Sequence, residues 1–569
     1  MLHKSHLLAK SELFQRCSEE LTHSERIALS YSRAITIGRF YKLEAEDILL
    51  TTPRYWEFHT DPILVMDCSA GTLLTIHYNL CCGTFARYSA SRPELAKILE
   101  KMLSFQMMGQ FCLTELGHGL DVMNLGTIAT LLPDGSFLLN TPVMNAAKYM
   151  PPTAPCGIPC IAIVFARLIV HGEDRGIKPF AVPLHDGYTM AKGVTVKVLS
   201  PRGASRPLEH SLTYFTNVRL HPEALMDTMD KPENVRQGFF QQISRVIVGT
   251  LSMGVSALAP MKIGCFVTAR YSQRRVVTDA STGKLRPIIS FRTQHAPILT
   301  VLAHIYVMEA FIKKCVTLFS DNSIDFGLRH CIAAVGKIGL LGHCQESLIS
   351  LSERCGAQGL FEVNQLSVLH ADMRGASIAE GDLLVLAIRF TMELLIGRIE
   401  FPKPNDPSGL LAQRELSMID ELRQLIFGSR HHRDRRLESL ILPYCQPLME
   451  AIGHRFAYEA AVEQGVDERL LNLYVASFLK KDSAWYSEHA GLPRSEQHKK
   501  EQQAIDTVLP SLDQLLQGIN IEPYCTAPII SDDMWGRYVD SLKTFTEVPP
   551  LVRHAKKEPR EDTKIRAML

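Results

Sequence analysis

No apolar run in this 569-residue chain reaches the ~20 residues needed to cross a bilayer. An excess of charge of one sign is equally lacking, since 61 Lys and Arg stand against 60 Asp and Glu. That balance leaves no overall field to recruit nucleic acid or an acidic membrane surface. Paired CxxC blocks with histidine partners are missing, so the sequence predicts no zinc or other metal site. The opening residues Met1-Leu2-His3-Lys4-Ser5-His6 lack the apolar stretch of a secretory signal, and the expectation is an intracellular, reducing compartment. The fourteen cysteines fit that expectation. Cys81 and Cys82 are adjacent, Cys156 and Cys160 flank Gly157-Ile158-Pro159, and Cys265, Cys315 and Cys331 sit in apolar text, the pattern of buried free thiols. There is no repeat period and no low-complexity tract.

What is present is enough for several cores. At ~100–200 residues per domain the length predicts three or four domains, and 46% hydrophobic with 21% charged residues is an ordinary globular composition. Residues 1–107 read as a helical domain. Ser91-Arg92-Pro93-Glu94 has the look of a capping box, and Leu95, Ile98, Leu99, Met102 and Leu103 follow at helical spacing. Upstream, residues 71–80 are mostly apolar, the pattern of a helix packed beneath a ligand or of plain core packing, and His77 reads as a core or rim histidine rather than a catalyst. Residues 108–225 change to strand texture. Ile128–Leu132 and 137–139 flank the turn Pro133-Asp134-Gly135-Ser136, residues 160–166 are β-rich, Val194–Val198 alternates, and 212–215 and 217–220 follow. A small antiparallel sandwich or barrel is the expected packing. Helical pattern returns over 226–400, and the breaker-rich stretch 401–409, with Pro402, Pro404, Pro407 and Gly409, predicts a boundary before a second helical bundle over 401–569. The His431-His432-Arg433-Asp434-Arg435-Arg436 run reads as a solvated connection, and residues 556–562 as a charged, mobile end.

Two stretches carry chemistry. Thr114-Glu115-Leu116-Gly117-His118-Gly119 is a polar turn that offers amides and a small hydroxyl to a planar ligand; the same residues also read as a tight turn opening the β domain. Ala379-Glu380-Gly381-Asp382 sets two acids around a glycine before Leu383, Leu384, Val385 and Leu386. A carboxylate in such surroundings is costly to keep charged, which moves its pKa toward the range useful for proton abstraction. Alternatively, Glu380 is a helix-cap carboxylate.

Together with Tyr78-Asn79-Leu80, Lys148-Tyr149, Asn217-Val218-Arg219, Arg270-Tyr271-Ser272, Phe291-Arg292-Thr293-Gln294 and 356–359, in that order, these stretches resemble the acyl-CoA oxidase branch of the acyl-CoA dehydrogenase superfamily. The likeness runs over roughly residues 50–400 and weakens beyond. It implies a mainly α fold with a central β domain: an N-terminal helical domain, a β-barrel or sandwich, and two C-terminal helical bundles. It also implies bound FAD, an acyl-CoA substrate and O2. Glu380 matches the catalytic base and Gly381 lies at the substrate. Thr114 stands beside the flavin, with Glu115, Gly117 and Gly119 shaping that turn and Thr153 near its rim. Arg275 or Arg274, Gln294, Gly356 and Asp382 match further cofactor contacts, some of which come from a neighbouring subunit in the family, so a homodimer is implied.

The implied reaction is α,β-desaturation to a trans-2-enoyl-CoA. Glu380 takes the Cα proton, the thioester oxygen is held by the flavin ribose and the Glu380 amide, and reoxidation by O2 gives hydrogen peroxide. Departures from the family pattern are Gly356-Ala357-Gln358-Gly359-Leu360 for Gly-Gly-His-Gly-Tyr, Leu383 for an asparagine, and Lys148-Tyr149-Met150-Pro151-Pro152-Thr153 for Lys-Trp-Trp-Pro-Gly-Gly. A dehydrogenase serving a protein acceptor and an inactive helical scaffold are the alternatives. Ala567-Met568-Leu569 loosely resembles a peroxisomal Ser-Lys-Leu signal without its basic residue; peroxisomal, otherwise cytoplasmic, location is the expectation.

Overall fold

The computed structural model describes residues 3–16, 21–427 and 434–544. His431, His432, Arg433 and the C-terminal stretches 556–562 and 567–569 lie outside the described residues.

The N-terminal part is helical. Helix His23–Tyr41 opens on a capping box between Thr22 and Glu25. Helix Cys68–Thr75 widens into a π-helical stretch, Ile76–Cys82, and continues as Gly83–Ser89. Such π segments are uncommon and recur at functional sites. Helix Pro93–Leu103 buries Leu95, Leu99 and Met102, the face its spacing predicts, but its cap differs from expectation. Pro93 takes the first helical position, where its missing N–H costs nothing. Arg92 therefore becomes the N-cap and Ser91 falls one residue outside; Arg92 Nε donates to Glu94 at 2.7 Å instead.

Nine strands follow: β1 Met108–Cys112, β2 Ile128–Leu131, β3 Phe137–Asn140, β4 Lys148–Tyr149, β5 Cys160–Val170, β6 Glu173–His185, β7 Val194–Val198, β8 Ser211–Phe215 and β9 Val218–Leu220. They make a six-stranded sheet ordered β1-β5-β2-β3-β9, with β6 paired to β5, and a three-stranded sheet β4-β8-β7. The expected purely antiparallel packing is corrected: β1 and β2 both run parallel to β5, along its first and second halves. β5 alternates between two cores. Ile161, Ile163 and Phe165 pack with the helices, whereas Ala162, Val164, Ala166 and Leu168 pack within the β domain. Burial on both faces is why this strand reads as a continuous apolar run.

After β9 the helices Ser244–Val255, Leu258–Arg274, Arg292–Ser320, Phe326–Arg354, Leu366–Ile378 and Leu383–Leu395 stack together, interrupted by a two-stranded ladder pairing Val276–Thr278 with Leu285–Pro287. The stretch 401–409 is the connection to helix Leu410–Ile426. Residues on both sides of it, such as Leu302, Leu340, Leu448 and Leu473, nevertheless share one continuous apolar core with Leu73 and Phe85 of the N-terminal helices. Ser244–Arg274 and Arg292–Ser320 have the length and apolar content of membrane-crossing helices, and 72% of each apolar window is buried inside the fold. That refines the expectation from run length: polar residues interrupt these helices, which serve here as core.

Candidate active site

The three parts of the fold meet at the π-helical stretch that holds Asn79. His77, two residues before it, ties this stretch to the sheet. Its Nδ1 accepts from the Gly109 amide of β1 at 2.9 Å, which leaves Nε2 to donate to Met102 O at 3.2 Å. Burial lowers the imidazole to about 4, so it stays neutral, a core histidine as the sequence predicts. β1 then leads directly into the Thr114 turn.

On its other side Asn79 donates through Nδ2 to Glu380 Oε2 at 2.9 Å. Arg245 fixes the amide: its Nη2 donates to Asn79 Oδ1 at 2.7 Å and its Nε to Asn79 O at 3.0 Å. Tyr55 lies under the Arg245 guanidinium, 5.9 Å from ring centre to charge, and shares a 3.0 Å hydroxyl bond with Ser252.

Glu380 lies between helices Leu366–Ile378 and Leu383–Leu395, at φ 52°, in the left-handed region. For a residue with a Cβ this costs on the order of 1–2 kcal/mol. Gly381 follows at φ 104°, a conformation that requires glycine. Three successive carbonyls of this turn are tied down. Thr250 Oγ1 donates to Glu380 O at 2.8 Å, and Lys337 Nζ donates to Ala379 O and Gly381 O at 2.5 Å each. The Glu380 amide, by contrast, has no partner among the described residues. Glu380 keeps partial exposure as a residue, while its carboxylate is sunk against Gly249 and Asn79. Burial pushes it up to about 8, against the opposing pull of Lys337, Arg245 and Asn79. Lys337 is likewise lowered by burial, to about 7, against the pull of Glu380 and Asp382.

The capping role belongs to Asp382 rather than Glu380. The Asp382 carboxylate accepts from Leu384 N and Val385 N through one oxygen and starts the next helix. Sequence reasoning missed Asn79 as a partner of Glu380, together with Arg245, Gly249, Thr250 and Lys337. One signal was available, a lone lysine in the apolar text Ala333-Ala334-Val335-Gly336-Lys337-Ile338-Gly339-Leu340.

The Thr114 turn is anchored from below. Glu115 is buried and accepts from Lys148 Nζ at 2.9 Å, Gly126 N at 2.6 Å and Thr127 N at 2.9 Å. Burial works to raise its pKa, but Lys148 and these amides outweigh it and hold it below the usual range. Lys148 also donates to the carbonyls of Leu113 and Phe165. The anchor leaves Leu116, Gly117 and Gly119 at the surface and Thr114 half-buried. The Thr114 hydroxyl has no hydrogen-bond partner among the described residues, and a Cβ on Gly119 would meet open space. Gly117 instead lies close over Asn145. Thr153 is corrected: it is fully buried, its hydroxyl paired with that of Thr213 at 2.7 Å, so it stitches the small sheet.

The remaining candidates gather where three helices end. Gln294 Nε2 bridges Ser272 Oγ at 2.8 Å and Arg354 O at 2.7 Å, beside Gly356, which stands at φ 55° with open space on its Cβ side. Arg275 follows helix Leu258–Arg274, exposed, with no side-chain hydrogen bond or ion pair among the described residues. Arg274 beside it differs: its guanidinium pairs with Asp532 and donates to Ile529 O. No hydrogen bond or ion pair between described residues links this cluster to the Thr114 turn.

Residues 246–395 match the family description "Acyl-CoA oxidase, C-alpha1 domain". The chain is 25% identical over 360 residues to the putative peroxisomal acyl-coenzyme A oxidase 3.2 of Arabidopsis thaliana, covering 60% of this chain and 53% of that protein. It thus spans about half the length of the curated relatives it matches. The crystal structure of acyl-CoA oxidase 1 from Yarrowia lipolytica superposes with a TM-score of 0.78 at 19% identity, over 95% of this chain and 90% of that one. Acyl-CoA oxidase-1 of Caenorhabditis elegans, solved in complex with FAD and ATP, superposes at 0.69 with 16% identity over 96% of both chains.

Proposed function

We propose that this chain, which has the fold of the acyl-CoA oxidases and carries their C-alpha1 domain, is an FAD-dependent acyl-CoA oxidase that desaturates the α,β bond of an acyl-CoA. Glu380 carries the reading. One residue supplies a carboxylate raised to about 8 and, a few atoms away, an unpartnered amide. A thioester Cα proton is too weakly acidic for an ordinary carboxylate, and a raised one is a better-matched base. The free amide is the donor that an enolate oxygen requires.

The residues present fit the cofactor. The unpartnered Thr114 hydroxyl and the open side of Gly119 suit the edge and face of a flat ring. The free Arg275 guanidinium and the open turn at Gly356 suit a diphosphate and its nucleoside. Bound FAD would supply the acceptor for the Cβ hydride and the route of the electrons to O2. The chain's own part is positional. Glu380 receives the Cα proton at its carboxylate, Asn79 and Gly249 fix where that carboxylate lies, and the Glu380 amide polarises the thioester oxygen. The homodimer that the family resemblance implies, in which one chain supplies the turn and its partner the Arg275 cluster, is part of this reading. Relatives named as peroxisomal support that compartment for this chain.

The test is purified full-length protein. It should carry a flavin spectrum, lose it anaerobically on addition of a saturated acyl-CoA, and release peroxide when air is admitted. A colourless protein that takes up no FAD overturns the reading; bleaching without peroxide replaces oxidase by dehydrogenase.

A further inference from the structure

We propose that Lys337 is a positioning residue for the base: its ammonium clamps the carbonyls on either side of Glu380 and, with Thr250 on the Glu380 carbonyl itself, fixes the left-handed turn that aims the carboxylate. The inference rests on Glu380 being the base of the proposed oxidase.

The geometry is specific. Carbonyls 379 and 381 both face one Nζ at 2.5 Å, while carbonyl 380 faces Thr250 Oγ1 at 2.8 Å. A single hydroxyl cannot donate to two carbonyls at full strength, whereas an ammonium carries three protons. Lys337 is fully buried, on a helix whose backbone meets Gly254 so closely that a Cβ there would stand 2.8 Å from Lys337 Cα. Burying an ammonium is expensive, and the helix needs no charge there for packing. The charge acts on the turn. The ionisable groups around it are Glu380 and Asp382 on the turn, Arg245 on helix Ser244–Val255 and Tyr55 beneath Arg245. Among these, Lys337 and Arg245 favour the ionised, proton-accepting form of Glu380, and only Lys337 also holds the turn's backbone.

The experiment uses full-length holoenzyme with lauroyl-CoA as probe and compares wild type, Lys337→Met, Thr250→Val and Glu380→Gln. Lys337→Met should keep its flavin, be reduced at least ~10-fold more slowly at pH 6.5, where the Lys337 side chain carries its charge, and have the rising limb of its pH–rate profile moved up by about one pH unit or more. Thr250→Val should slow reduction a few-fold without moving the limb. A Lys337→Met profile superimposable on wild type overturns the proposal, as does an equal shift in Thr250→Val. Should the methionine variant not fold, Lys337→Gln, which keeps a donor and loses the charge, must show the same shift. A second readout needs neither flavin nor substrate: the infrared band of the protonated Glu380 carboxyl, identified by its loss in Glu380→Gln, must titrate at higher pH in the Lys337 variant. An unshifted band overturns the clamp. Failure of the oxidase reading shows separately, as wild type that no acyl-CoA reduces.

Discussion

The Glu380 carboxylate fills the space a side chain on Gly249 would take: a Cβ built on Gly249 overlaps Glu380 Oε2 and stands 2.8 Å from Asn79 Nδ2. Helix Ser244–Val255 is thus the floor on which the base rests. Adding one methyl group, Gly249→Ala, forces the carboxylate off Asn79. Since displacements of about 1 Å at a reacting group cost on the order of 100-fold in rate, flavin reduction should slow by that factor. Flavin content and melting temperature should hold, because the strained partner is a side chain. Stopped-flow anaerobic reduction reads the rate, and an unchanged rate would show that the observed seat of the carboxylate is not the working one.

Glu380 also leaves a signature in stability. Its folded pKa, about 8, lies above its ordinary 4.5, so between these values the folded chain keeps a proton that the unfolded chain has lost. Its stabilising contribution is full below about 4.5 and falls as the pH rises, until it is lost above about 8. Lys337 acts in the opposite direction: lowered to about 7, it makes stability recover with pH above that value. Glu380→Gln should therefore match wild type in melting temperature at acid pH and gain on it steadily up to about 8. The comparison is a thermal melt of each protein across that range. The same variant should bind flavin and fail to be reduced by acyl-CoA.

Adjacent arginines separate cofactor binding from packing. Arg275 is free, whereas Arg274 anchors helix Asp532–Ser541 through Asp532 and the Ile529 carbonyl. Losing a charge-assisted bond to a phosphate costs roughly 1.5–3 kcal/mol. Arg275→Ala should weaken FAD retention about tenfold or more and leave unfolding unchanged; Arg274→Ala should keep its FAD and melt earlier. Flavin-to-protein absorbance after dialysis and a denaturant curve distinguish the two, and the reverse pattern would move the diphosphate contact to Arg274.

How much of this was legible follows from what each residue touches. Glu380, Gly381 and the Thr114 turn announce themselves because their chemistry is local: an acid before apolar text, glycines around a hydroxyl. Asn79 and Arg245 do not, since their partners lie 301 and 166 residues away in the chain. β6, the longest strand, went unread for another reason. It opens on Glu173-Asp174-Arg175 and contains Pro179 and Pro183, which argue against a strand interior. Among the named strands it pairs with β5, and on its other side the contacts are isolated: Phe180 bridges Leu225, and Met226 N donates to Pro179 O, a bond that uses proline's carbonyl and needs no N–H. The helix cap moved by two residues, from Glu380 to Asp382, because the carboxylate at 380 is held by Asn79 rather than by the following amides.

The Glu115–Lys148 pair is the remaining test, because it carries the turn on which Thr114 sits without reaching a ligand itself. Both side chains are completely buried and 2.9 Å apart. Breaking a buried pair by removing one partner leaves an uncompensated charge and costs roughly 3–5 kcal/mol. In Lys148→Met, Glu115 keeps the Gly126 and Thr127 amides, which soften that penalty, so the loss should fall near the lower end, about 3 kcal/mol. The carbonyls of Leu113 and Phe165 lose a donor at the same time, which loosens the end of β1 and with it Thr114. Urea unfolding should show the lost stability, and flavin retention should fall in parallel even at temperatures where the variant is folded. Full flavin retention in a destabilised but folded Lys148→Met would mean that the turn holds its shape without this pair.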